Sequence, residues 1–500
     1  MRQSGVLLPV FSLPGKYGIG CFSREAEEFI HYLKEAGQSF WQILPLGPTG
    51  YGDSPYQAFS TFAGNPYYID LEELIREGLL TPEECRSQMP EDPGAVDYGF
   101  LYHTRWDLLR KAFSRSSHRD TQEFALFCSE NAFWLSDYAL FMAIKDAHEG
   151  APLRSWEEEL RRRDREALDV WKEKLSDEIA FYEYLQFEFL RQWKKIKACA
   201  EAEGIGIIGD IPIYVSEDSS DFWAHPELFQ VDQRGEIRKV AGVPPDGFST
   251  DGQLWGNPLY DWDYHKKEGY TWWIRRIAKC RELYDVIRLD HFRGFDEYFA
   301  IPAGETTAKN GFWEKGPGMD LFGTLQKAFP DLKIIAEDLG YVTDTVRQLV
   351  RDTGYPNMKV LEFAFDSRDS TGRWEYMPYN YDRNCAVYTG THDNETLAGW
   401  LDSILPEELA EVREFFGVKT ESKEEITDAM IRAASASVAD LCVIPLQDYL
   451  ALDNSARINQ PSTYGKNWKW RVDGKQLSSD LQERIRRIAE LYGRSTPAGQ

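Results

Sequence analysis

Three short runs, VIRLDHFRGF (286–295), KIIAEDLG (333–340) and AVYTGTHDNET (386–396), each pair an apolar β-type stretch with a terminal carboxylate. A buried strand has no use for Asp290, Glu337 or Asp393, so the pattern places each acid where a strand ends and βα loops hold a substrate. Three converging carboxylates suit glycosyl transfer. A retaining mechanism needs a nucleophile and a general acid/base, and a third group can steady the sugar.

Arg288 precedes Asp290 by two positions and shares its strand face, which sets a guanidinium beside the carboxylate and favours the ionised, nucleophilic form. A purely structural ion pair at the rim is the alternative. Glu337 follows an apolar run and precedes Asp338, so desolvation and a like charge would keep it protonated, as a general acid requires. Strand neighbours point to opposite faces, so Asp338 could act instead with Glu337 turned away. Asp393, between His392 and Asn394, can bond sugar hydroxyls and stabilise positive charge at an anomeric carbon. It could equally cap a helix that carries Glu395 and Thr396 in its next turn.

Two stretches resemble substrate walls. Residues 49–66 (TGYGDSPYQAFSTFAGNP) and 243–258 (VPPDGFSTDGQLWGNP) set Tyr51, Tyr56, Phe59, Phe248 and Trp255 among turn residues. Aromatics on such loops offer stacking surfaces, or simply anchor the loop.

These residues need a frame. Apolar runs at 6–10, 41–46, 205–214, 286–289, 334–336, 359–365, 386–388 and 441–446 alternate with helical patterns, which predicts an α/β fold of the (β/α)₈ barrel type. At ~31 residues per βα unit, Glu337 and Asp393 lie about two units apart, whereas the earlier strands are spaced too widely. We therefore read residues 1–500 as one catalytic barrel domain, with a helical insertion near 67–200 between strands two and three and a loop-rich insertion near 215–265 between strands three and four. Ser23 and Thr343 are placed to cap helices that stop at Gly37 and before Gly354.

Composition excludes several classes. Against 82 Asp and Glu the chain has 57 Lys and Arg, a net charge of −25 that repels phosphate backbones and argues against nucleic acid. No apolar stretch is long enough to span a membrane, and the N-terminal run is broken by Pro9, so we expect a soluble chain without a signal peptide. The seven scattered cysteines form no CxxC pair and suit a cytoplasmic protein with reduced thiols. The GIGIIG run at 204–209 enters a strand rather than leaving one, so it is no dinucleotide site.

Taken in order, SPYQAFSTFAGNP, GDIPIYV, PPDGFSTDGQLWGNPLYDW, RLDHFRGF, AEDLG, THDNET, ARINQPST and NWKWR resemble the 4-α-glucanotransferase (amylomaltase, or disproportionating enzyme) family across nearly the whole chain. The resemblance implies a barrel related to the α-amylase superfamily and the transfer of α-1,4-glucan segments between maltooligosaccharides, with no metal or organic cofactor. It also implies Asp290 as nucleophile, Glu337 as acid/base and Asp393 as transition-state stabiliser. Arg288, His291, His392, Asp210 and Asn459 match positions around the reacting sugar; Ser54, Tyr56, Phe248 and Trp255 match glucan-lining loops, and Asp366 is a weaker match on the sixth strand. Ser462 departs from the family, where many members have Gly. A retaining α-glucan hydrolase on the same scaffold and a non-catalytic glucan-binding protein are the rival readings. Nothing in the chain sets its oligomeric state.

Overall fold

The computed structural model describes residues 2–50, 52–245, 250–368 and 372–495. Twelve strands occur among them: β1 (Gln3–Leu7), β2 (Phe40–Gln42), β3 (Gly206–Ile211), β4 (Lys239–Val243), β5 (Gln253–Pro258), β6 (Val286–Leu289), β7 (Glu297–Pro302), β8 (Phe312–Lys315), β9 (Ile334–Ala336), β10 (Asn357–Val360), β11 (Cys385–Tyr388) and β12 (Leu441–Pro445). Eight of them close a parallel barrel in the order β1-β12-β11-β10-β9-β6-β3-β2. Each overlaps one of the eight runs expected from the sequence, although the first spans Gln3–Leu7 rather than 6–10, with Val10 already in a 3₁₀ turn, and the second and third end at Gln42 and Ile211. The tenth strand stops at Val360 rather than Phe365, because residues Leu361–Ala364 turn into a 3₁₀ helix.

Period-two alternation separates two apolar layers. Leu7, Ile208, Val286, Ile335, Met358, Val360, Ala386, Tyr388 and Val443 form one cluster that fills the barrel, while Val6, Ile207, Ile287 and Ile334 belong to the layer beneath the helices. Helix ends follow the caps read from the sequence. Ser23 accepts from Glu25 N to start Arg24–Glu35, and Thr343 accepts from Val346 N to start Asp344–Thr353. Gly37 and Gly354 then take left-handed φ values of 68° and 71°, which glycine adopts without steric cost.

Between β2 and β3 run the long helices Tyr98–Arg115, Leu135–Ala147 and Ser176–Glu203, the last feeding β3 through Gly204 at φ 69°. The stretch read as loop-rich is more ordered than expected: β4 and β5 pair antiparallel and join β7 and β8 in a sheet of order β5-β4-β7-β8. Its Pro and Gly content hid these strands. Pro258 is tolerated because β5 lies on the sheet edge, where a missing N–H breaks no interior ladder.

Candidate active site

The alternation that fills the barrel also aims the polar side chains. On β3, Asp210 shares the inward face with Ile208; on β6, Arg288 shares it with Val286, and Asp290 continues that face one step past the strand. On β9, Glu337 likewise follows Ile335. Parallel register sets Asp210 opposite Arg288 and Leu289 opposite Ala336, so the two acids Asp290 and Glu337 emerge from adjacent strands at the same level.

Arg288 is the hub. Its Nη1 donates to Asp210 Oδ1 at 2.8 Å and Oδ2 at 2.7 Å, and to Asp290 Oδ1 at 3.2 Å. The sequence-based expectation that this cation holds Asp290 ionised needs correcting. Desolvation at the barrel mouth outweighs Arg288, whose charge is drawn closer to Asp210, and Glu337 and Asp210 add like charge, so the Asp290 carboxyl is raised above its ordinary value. Glu337 is raised as well, by burial first, although Arg288 and two backbone donors oppose it. The donors are His291 N to Oε2 at 2.6 Å and Leu339 N to Oε1 at 2.8 Å.

Asp338 does not supply the acid, although it and Glu337 repel one another as like charges. It points away and accepts from Met358 N at 3.1 Å and Asn357 Nδ2 at 3.3 Å. Asp393 and Asp290 add further like charge to Glu337.

Asp393 sits in the loop after β11 and is not a helix cap; Thr396 caps Leu397–Ser403 by accepting from Gly399 N. Asn459 Nδ2 donates to Asp393 Oδ1 at 2.6 Å, and His392 Nε2 lies 3.3 Å from Oδ2. Partial desolvation opposes its charge, but the His392 imidazole and the Asn459 amide outweigh it and hold the carboxyl well below the usual carboxylate range. His392 in turn is raised: burial works against its charge, and Asp393 and Asp210 overcome that. Tyr56 completes the wall. Its hydroxyl donates to Asp210 Oδ2 at 2.9 Å and lies 2.8 Å from His392 Nε2, while its ring stacks on the imidazole at 5.2 Å and 13°.

Accessibility sorts these groups by task. The side chains of Asp290 and Asp393 are 26% and 41% exposed, open to a ligand, whereas Arg288 and His392 are sealed beneath. His291 takes a left-handed φ of 50°, a costly turn of the kind that collects at functional sites, and burial with Arg293 nearby lowers its imidazole to about 3. The ring is therefore neutral and meets Trp255 edge-on at 4.8 Å.

The remaining expectations divide. Trp255 reaches the site, but from β5 rather than from a loop. Ser54 shapes the second wall through its Oγ, which accepts from Tyr56 N at 3.3 Å. Tyr51 and Phe248 lie outside the described residues. Asp366 lies past the 3₁₀ turn, chelated by Arg368 Nη2 at 2.6 Å and Nε at 2.9 Å and bonded by Trp400 Nε1 at 3.1 Å. Sequence reasoning missed Arg457, which donates from Nη2 to Asp393 O and from Nε to Asn459 O, both at 2.7 Å. Its position in ARINQPST, two residues before Asn459, was the available signal.

A closed parallel barrel whose C-terminal mouth gathers three carboxylates around a guanidinium and an imidazole defines an enzyme that acts on glycosidic bonds. The family model described as 4-alpha-glucanotransferase matches residues 8–477. A 4-alpha-glucanotransferase of Thermus thermophilus is 48% identical over 503 residues, covering 99% of both chains, and one of Clostridium butyricum is 44% identical over 488 residues, covering 97% of this chain and 99% of that one. Among solved structures, an amylomaltase from Streptococcus agalactiae in complex with acarbose superposes with a TM-score of 0.95 at 41% identity, covering 99% of this chain and 100% of that one. The chain belongs to the 4-alpha-glucanotransferase family.

Proposed function

We propose that this glucanotransferase moves α-1,4-glucan segments from donor to acceptor maltooligosaccharides by double displacement, with Asp290 as nucleophile, Glu337 as acid/base and Asp393 as stabiliser of the cationic transition state. A carboxylate oxygen of Asp290 bonds to the anomeric carbon as the glycosidic C–O bond breaks, and Glu337 gives its proton to the departing 4-oxygen. Glu337 then takes the proton of an acceptor 4-hydroxyl, whose oxygen bonds to the anomeric carbon and releases Asp290. Two inversions leave the α configuration unchanged.

The observation that carries this reading is the pairing of Leu289 with Ala336, because the next residue on each strand is an acid. Adjacent strands lie roughly 4.7–4.9 Å apart, a backbone spacing compatible with the ~5–5.5 Å between acids of a retaining enzyme. Asp290 and Glu337 are both raised, as two like charges that share one site and favour holding a proton between them. Arg288 opposes the rise of both acids, and the double displacement assigns the shared proton to Glu337. Asp393 stays ionised throughout and faces the developing positive charge. All seven cysteines are free, which suits a reducing compartment, and no described helix is long and apolar enough to cross a membrane; we place the reaction in the cytoplasm.

Timed chromatography of maltotriose incubations tests the reading. Transfer yields glucose and longer oligosaccharides at a constant reducing-end count. A count that rises in step with product would assign the protein to hydrolysis instead.

A further inference from the structure

Away from the carboxylates, the surface carries an aromatic group that the mechanism does not use. Trp374 is 68% exposed, Tyr379 59% and Phe415 42%, and their rings form a continuous chain. The Trp374 and Tyr379 centroids are 5.5 Å apart at an interplanar angle of 69°, and Tyr379 lies 6.4 Å from Phe415 at 40°. Single exposed aromatics need no explanation, but three in contact leave apolar area that folding alone would bury.

The group is held rigidly. Phe415 packs on the fully buried Phe365 at 5.2 Å, Asn380 Nδ2 ties Trp374 O at 2.8 Å, and the neighbouring Arg373 Nε donates to Ala364 O at 2.7 Å, just beyond the C-terminal end of β10. The last bond puts the platform on the same end of the barrel as the three carboxylates. Two charge pairs beside it are mutually satisfied: Arg347 pairs with Glu375 at 2.6 Å, and Arg373 pairs with Glu411. A phosphate or a charged peptide would have to break those pairs. A neutral polyhydroxyl chain would not, and the apolar faces of successive sugar rings stack on aromatic planes that turn relative to one another as a curved α-glucan does.

We propose that Trp374, Tyr379 and Phe415 form a second, non-catalytic binding platform for the α-1,4-glucan chain, which retains long donors at the enzyme surface while one segment reacts at the barrel mouth. This rests on the glucan-transfer reading of the site above. It follows that the platform matters only for chains long enough to engage both places. Short substrates do not feel its loss.

Native affinity electrophoresis of the full chain through gels containing soluble amylose, run beside maltotriose kinetics, tests the proposal. Trp374→Ala/Tyr379→Ala should weaken retardation by amylose at least threefold and raise KM for amylose by a similar factor, while kcat/KM for maltotriose stays within twofold of wild type. Trp374→Phe/Tyr379→Phe should restore most of the retardation, since planar faces remain. Unchanged retardation in the alanine variant overturns the proposal. So does a wild-type mass in solution that falls by half in that variant, which would make the patch a contact between copies of this chain. Failure of the transfer reading would register separately, as wild-type protein that does not disproportionate maltotriose.

Discussion

The backbone N–H of His291 donates to Glu337 Oε2 at 2.6 Å, which ties the peptide next to Asp290 to the carboxyl of its partner in the proposed mechanism. That N–H reaches Glu337 because His291 holds a φ of 50°. The backbone and the ring of His291 therefore do separable work.

His291→Gly keeps the left-handed turn and loses the ring, so kcat/KM for maltotriose disproportionation should fall only about tenfold. His291→Val resists φ > 0 far more strongly, at a strain of roughly 1–3 kcal/mol, and should fall at least tenfold further. Equal losses would show that the turn contributes nothing beyond the ring.

Trp255 meets the ring of His291, the residue after the proposed nucleophile Asp290, edge-on at 4.8 Å, where a stacked acceptor would exclude water. Trp255→Ala should raise the ratio of hydrolysis to transfer several-fold, read as new reducing ends per oligosaccharide formed. An unchanged ratio removes Trp255 from acceptor selection.

Arg288 opposes the desolvation that raises Asp290. Removing the cation makes ionisation of Asp290 harder and its pKa higher still, so Arg288→Gln should move the acid limb of the kcat/KM profile to higher pH, with Arg288→Lys moving it less. Because Asp210 loses its buried partner, Arg288→Gln should also cost about 3–5 kcal/mol of stability. An acid limb that stays put would separate it from Asp290.

Much of this was legible in the chain, for a physical reason. An Asp or Glu at the end of a β-type run is costly inside a core, so Asp290 and Glu337 announced the rim, and strand periodicity put Arg288 and Asp290 on one face. What the sequence could not supply was competition among partners. Whether Arg288 serves Asp290 or Asp210 depends on β3 lying beside β6, a pairing between distant segments. The partners of Asp366 were hidden for the same reason, since Arg368 and Trp400 reach it only once the turn after β10 is formed. The β4–β5 hairpin was masked by Gly and Pro that an edge tolerates. At Ser462 φ is +63°, a conformation that glycine adopts more easily, so Ser462 is a strained residue here.

Beneath the Asp393 loop lies Glu362, 3% exposed, with Oε1 lacking a protein partner and Gly390 packed so near that a Cβ there would come within 2.9 Å of it. Burial raises its carboxyl well above the ordinary value, Asp448 and Glu395 add like charge, and Arg457 offsets only part. A raised carboxyl means the folded state binds the proton more tightly, so the stability it brings is full below the unfolded pKa of ~4.3 and is lost as pH rises toward the folded pKa. Glu362→Gln has the same shape and no charge to bury. Its Tm should match wild type at pH 4 and exceed it at pH 8; a lower Tm at pH 8 would show that Glu362 is ionised in the fold.

The assignment of roles is tested most directly by trapping the intermediate. In Glu337→Gln, an α-maltotriosyl fluoride donor needs no acid to leave, whereas release of the glycosyl-enzyme lacks its base. Intact-protein mass spectrometry should then show one maltotriosyl group added, and peptide mapping should place it on Asp290. An adduct on another carboxylate, or none while fluoride is released at wild-type rate, would contradict the double displacement described here.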